Sequence, residues 1–307
     1  MKGHLASGAL FRVRLLQRSQ RSLSAAQILP DDDLPANAFG FLITPSAVLA
    51  LLLGVSTATA ANWPVGESDN PDCADPLAVE TATIQRITDG DTVVLTDNRR
   101  VRLIGINTPE LNDADEQLRK AALAAQNTLQ SLLPDNEPVL LYTGTESHDR
   151  HNRLLAHVVR KADQLAVAAV LLKQGHAMHI AVAPNNLCAT HFARLETIAR
   201  TQQLGLWKIG EDVHSTKAAS ISKKSRGFKL ITGTVTQVQT GTKHTQLLID
   251  DNFALKVRKK LANKLNSDGA LLALIGKQVE IRGWLSGRKN KKSLWLQHPA
   301  NLRQLVE

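Results

Sequence analysis

Three short segments at 81–87, 92–96 and 99–106 are rich in Thr, Val, Ile and Leu, and the turn Asp89-Gly90-Asp91 joins the first two. Short β-branched and apolar runs either side of a glycine-centred reversal read as strands joined by a tight turn. The third segment ends in the proline-stiffened loop Asn107-Thr108-Pro109-Glu110. Another strand is expected at 154–159, with Arg153 at its mouth. Three strand ends can thus meet at one point.

The residues at those ends suit one kind of chemistry. A phosphodiester already carries a negative charge, and in-line attack adds more to its equatorial oxygens, so cleavage relies on positive groups aimed there and on an activated water. Arg102 and Arg153 stay charged at any working pH, and their planar forks grip two oxygens at once. Asp89 and Asp91 are oxygen ligands for a hard cation, and Glu110 accepts or orients a water proton. Taken singly, each feature has an ordinary reading: a plain turn, a helix cap, a solvated arginine. The joint set is what points to a site. His151, His176, His179 and His191 read as surface or satisfied histidines, since none has a partner at zinc-ligand spacing.

The ordered motifs Asp89-Gly90-Asp91-Thr92, Arg102-Leu103-Ile104-Gly105-Ile106-Asn107-Thr108-Pro109-Glu110, Asp149-Arg150-His151-Asn152-Arg153, Pro184-Asn185-Asn186 and Gly205-Leu206-Trp207 closely resemble the thermonuclease (staphylococcal-nuclease-like) family. The match runs from about residue 81 to about residue 207. The resemblance implies a five-stranded OB-type barrel with three helices and a catalytic trio of Arg102, Glu110 and Arg153. It also implies Ca²⁺ held by Asp91, by position 107 and by the carbonyl of Thr108, and hydrolysis of DNA and RNA to products ending in 3′-phosphates. Single-stranded DNA and RNA are the favoured partners. The chain departs from the family at Asn107, where the best-known members carry aspartate. An amide oxygen still ligates Ca²⁺ with one negative charge fewer, so weaker metal binding is expected, with Mg²⁺ or Mn²⁺ as alternatives. Ile180 and Val182 stand near where the family's base-flanking aromatic residues would be, which predicts weaker base stacking. Asn152 replaces a common glycine, and asparagine tolerates left-handed backbone. A non-catalytic nucleic-acid binder on a degenerate nuclease barrel is the competing reading.

The 307 residues leave room for two modest domains and their ends. The expected organisation is a targeting, signal or anchor segment at 1–60, a linker at 61–80, a nuclease-like domain at 81–210, a basic linker at 211–227 and a basic OB-like nucleic-acid-binding domain at 228–307. Charge supports the division. From residue 213 onward there are 18 Lys+Arg against 5 Asp+Glu, whereas residues 1–212 carry 19 against 23. A block this basic is the footprint of a polyanion binder.

Residues 41–61 are uncharged and end in Ala58-Thr59-Ala60, a small-residue pattern suited to cleavage after Ala60. Export to the periplasm or beyond is favoured over membrane anchoring through 41–61. Two cysteines, Cys73 and Cys188, fit a bridge in an oxidising compartment. Helices are expected at 113–133, with Asp113 as N-cap, at 163–173 and at 188–203; a strand is expected at 138–142 and a polar loop at 144–152. Beyond residue 228, strands at 229–238, 245–249, 253–257, 278–285 and 293–296, with a helix at 259–266, suggest a small antiparallel barrel. Arg258, Lys259, Lys260, Trp284, Trp295 and a basic hairpin tip at 288–292 form its candidate nucleic-acid face.

Overall fold

The computed structural model describes residues 78–266, 269–287 and 292–305. The stretch expected as a targeting segment, most of the expected first linker with Cys73, and positions 288–291 of the expected basic tip lie outside them.

The expected meander is present: β1 (Ala78–Asp89), β2 (Thr92–Leu95) and β3 (Arg100–Leu103) pair antiparallel in sequence. The strand expected to run unbroken over 99–106 is cut at Gly105, and β4 (Ile106–Asn107) leaves the sheet. Gly105 has φ +86°, and a Cβ there would lie 2.5 Å from the Phe192 ring, so the kink needs glycine twice over. Next come α1 (Glu116–Leu132), β5 (Pro138–His148), β6 (Leu154–Arg160), β7 (Leu165–Ala166), α2 (Val167–Lys173), β8 (Met178–His179) and α3 (Ala189–Thr201). β5 pairs antiparallel with β1 and β6, and β6 pairs parallel with β3, which closes a five-stranded barrel. Its core includes Ile84, Leu95, Leu103, Leu129, Leu141 and Leu171.

Three local boundaries differ from expectation. Asp115, not Asp113, caps α1: its carboxylate accepts from the backbone N–H of Gln117 and Leu118, while Asp113 accepts from that of Asp115. β5 continues to His148 because His148 regains pairing with Leu154 after a register shift. α2 begins only at Val167, since Leu165 and Ala166 pair with β6 first.

A 3-10 turn, Gly205–Lys208, leads to α4 (Glu211–His214) and β9 (Thr216–Lys217). The span expected as a basic linker is thus partly structured: β9 pairs parallel with the next strand, and Ala218 is fully buried. The second barrel comprises β10 (Phe228–Thr240), β11 (His244–Ile249), β12 (Phe253–Arg258), α5 (Lys259–Asn266), β13 (Gln278–Ser286) and β14 (Ser293–Leu296), with β15 (Leu302–Gln304) beside β13. It closes as β10-β11-β12-β14-β13, with β12 and β14 parallel. Both barrels share one plan: three meandering strands, a helix, two more strands, and a parallel pairing of third with fifth. This is the OB arrangement.

The barrels meet through polar contacts. Arg282 on β13 donates to the His179 carbonyl at 2.9 Å and pairs with Glu196 of α3 at 2.6 Å. Arg200 of α3 makes two 2.9 Å bonds to Glu280 of β13. The Asn301 amide bonds both backbone groups of Ala181, at 2.9 and 2.7 Å. No helix among the described residues is long and apolar enough to cross a membrane.

Candidate active site

The β1–β2 turn carries Asp89, Gly90 and Asp91. Asp89 Oδ1 accepts from the Asp91 N–H at 3.1 Å, and a Cβ at Gly90 would lie 2.7 Å from that of Ala125 and 2.9 Å from the Thr108 side chain. The turn is therefore wedged between α1 and the Asn107–Glu110 loop. Asp91 is almost fully buried and ties the motifs together. Its Oδ1 accepts from Thr92 Oγ1 at 3.1 Å. Its Oδ2 accepts from the Thr108 N–H at 3.1 Å and lies 3.0 Å from Arg102 Nη2.

β3 delivers Arg102, whose Nη1 donates to the Leu103 carbonyl at 2.6 Å and whose Nη2 reaches Asn107 Oδ1 at 3.2 Å. Asn107 Nδ2 donates to the Thr108 carbonyl at 3.1 Å. The third motif arrives at the start of β6. Arg153 is clamped by Asp149 Oδ2, 2.8 Å from Nε and 2.7 Å from Nη2, and its Nη1 reaches Thr92 Oγ1 at 3.3 Å. The loop between them turns on Asn152, with φ 57°, as its identity suggested.

Charge crowding follows from this packing. Asp89 is pushed up to about 6, first by burial and then by the Asp91 charge. Glu110 is raised by burial and by Asp91, while Arg102 and Arg153 pull it down. It is exposed at the rim, yet feels all three groups at once. Burial raises Asp149, but its bonds from Arg153 and His151 win and hold it low.

Asp91, Arg102, Asn107, Thr108, Glu110 and Arg153 are thus brought to one place. The sequence reading gave no role to Asp149 or to the Thr92 hydroxyl. The signal for Asp149 was its position four residues ahead of Arg153 in one loop. Ile180 is buried and offers no surface to a base. The histidines expected as satisfied are not all so: His179 Nε2 and both ring nitrogens of His191 are buried without a hydrogen-bond partner among the described residues.

The donor set fits a hard divalent cation in kind. Asp91, the Asn107 amide oxygen and the Thr108 carbonyl are oxygen donors. Among the described residues no group of three or more His, Cys, Asp and Glu converges as ligands, so the set rests on neutral oxygens as much as on carboxylate.

A family model described as staphylococcal nuclease homologue matches residues 100–209. The thermonuclease of Staphylococcus intermedius is 30% identical over 132 residues, which cover 42% of this chain and 77% of that protein. The chain belongs to the staphylococcal nuclease family. The endonuclease YhcR of Bacillus subtilis (strain 168) is 27% identical over 135 residues, 40% of this chain but only 11% of that much longer protein. Arg102 through Arg153 of the site lie inside the stretch that the staphylococcal nuclease family model matches, and the Asp89–Thr92 turn lies just ahead of it.

Proposed function

We propose that this chain is a divalent-metal-dependent nuclease that hydrolyses DNA and RNA with little sequence preference, single strands favoured, leaving 3′-phosphate ends. The observation that carries the reading is the meeting of Arg102 and Glu110 from one motif with Arg153 from another, around Asp91 and Thr92 of a third. Asp91 and Asp149 hold the two guanidinium forks in place before substrate arrives, so little reorganisation accompanies the gain of charge on the phosphate. Arg102 and Arg153 then stabilise the equatorial oxygens. Glu110, made more basic by burial and by Asp91, takes the proton as the water oxygen bonds to phosphorus. The bond from phosphorus to the 5′ oxygen breaks, and that oxygen is protonated from solvent. Asp91, Asn107 and the Thr108 carbonyl are the cation ligands; Ca²⁺ is the first candidate, Mg²⁺ and Mn²⁺ the alternatives. The bound ion supplies charge stabilisation and a more acidic water.

The test is digestion of single-stranded DNA and RNA with and without a chelator, across the three metals, with end-group analysis. Arg153→Ala is expected to lower kcat on the order of 10²–10³-fold, as loss of one preorganised donor does. An unchanged rate in that variant would overturn the assignment.

One observation favours a second reading, a non-catalytic nucleic-acid binder. Arg102 touches both Asp91 and Asn107, engaging two of the cation donors. Salt-sensitive binding without cleavage at any metal concentration decides for it. We further propose export through the uncharged stretch 41–61, cleaved near Ala60 or retained as an anchor. The disulfide at Cys188 supports an oxidising compartment.

A further inference from the structure

The second barrel carries an outward row of aromatic and cationic side chains that the nuclease chemistry does not use. On β13, Val279, Ile281 and Leu285 face the barrel core, so Glu280, Arg282 and Trp284 share the opposite face. The first two are buried against α3, whereas Trp284 emerges past the contact, 42% exposed. Across the ladder it pairs with Phe228, ring to ring at 5.4 Å. One register step beyond the inward pair Leu285–Leu294, Trp295 continues the same outer face. Lys256 is its partner on β12. The Trp295 ring has Lys256 Nζ 5.7 Å away, the Arg258 guanidinium 5.6 Å away and His244 edge-on at 5.4 Å.

The row also has a direction. Phe228 packs against the cluster of Met178, Leu206 and Trp207 at the border of the first barrel, and Met178 is the pairing partner of Asn107. The aromatic faces therefore begin next to the strand that flanks the candidate active site. They run outward across a barrel whose share of the sequence is strongly basic.

We propose that this row is a binding track for single-stranded nucleic acid, with a base stacked on Trp284 and phosphates met by Lys256 and Arg258, which lie over the Trp295 ring. The assignment rests on the nuclease reading for its ligand class and extends it to a second site. An exposed indole face reaches only unstacked bases, since a duplex hides them, and the cations over Trp295 match the phosphate charge.

The experiment is equilibrium binding of the full chain, in chelator, to labelled oligothymidylate and to a hairpin duplex of equal length. Trp284→Leu keeps apolar bulk without a stacking face and is expected to weaken oligothymidylate binding about 5- to 150-fold. Trp284→Phe restores most of it. Arg258→Ala lowers the salt dependence of log K by about 0.7 for the lost phosphate contact. Folded variants are verified by circular dichroism. Wild-type affinity in Trp284→Leu, no binding by the wild type, or an equal loss on the duplex overturns the track. If the wild type cleaves nothing with any metal while Trp284→Leu still loses oligothymidylate, the nuclease reading falls and the track stands.

Discussion

At position 107 an amide does what a carboxylate cannot do without a cation. Asn107 accepts from Arg102 through Oδ1 and donates to the Thr108 carbonyl through Nδ2. In Asn107→Asp the second contact becomes two oxygens facing each other, a repulsion that a bound cation turns into joint ligation. The variant is expected to lose about 1–3 kcal/mol of stability in chelator and to gain affinity for Ca²⁺ on the order of tenfold. Calorimetric titration with the metal alone, and unfolding with and without chelator, measure both; unchanged metal affinity would remove position 107 from the ligand set. A methyl group at residue 90 acts through space instead. With neighbours already 2.7–2.9 Å from the position of its Cβ, Gly90→Ala must displace α1 or the Thr108 loop, at an expected cost of about 1–3 kcal/mol in denaturant unfolding.

Elements were legible where a residue pattern has one physical solution. The β-branched and apolar runs either side of the Asp89-Gly90-Asp91 turn read as strands, and α5 runs over the expected 259–266, entered directly from β12. Boundaries failed where two side chains competed for one task. Asp113 and Asp115 both precede the apolar stripe of α1, and sequence alone does not say which carboxylate reaches a free N–H. Asp115→Ala should therefore cost about 1 kcal/mol and lower the melting temperature, with Asp113→Ala costing less; the reverse order would reassign the cap. The break at Gly105 was hidden for a related reason, because its cause is the ring of Phe192, far along the chain. Site residues followed the same rule. Arg102, Glu110 and Arg153 stand in ordered motifs and could be named, while the Thr92 hydroxyl became visible only when folding placed it 3.3 Å from Arg153.

An apolar cluster and buried ion pairs join the two barrels where they touch. Arg282 is held between Glu196 and Glu280 and also donates to His179, whose strand pairs with the one carrying Asn107. Burial alone would raise Glu196, but the charges of Arg282 and Arg200 prevail and bring it down to about 2; Glu280 is lowered by the same partners against the same burial. Depressed carboxyls stabilise the fold fully above the unfolded value near 4.5, and that stabilisation is lost as pH falls toward 2. Each contributes a slope of up to about 1.4 kcal/mol per pH unit. His157 and His179, lowered by burial to about 4 and about 3, act higher: stability begins to fall below pH 6.5 as the unfolded chain takes up their protons. Arg282→Met leaves two buried carboxylates with weaker partners, so unfolding at pH 7 should be easier by about 3–5 kcal/mol. Its stability should also fall less steeply than the wild type's between pH 4.5 and 2.5, because the depression of Glu196 and Glu280 is largely gone. Denaturant unfolding of both proteins across that range measures the two effects together. Parallel pH profiles would mean that the ion-pair cluster does not couple the barrels as the geometry implies.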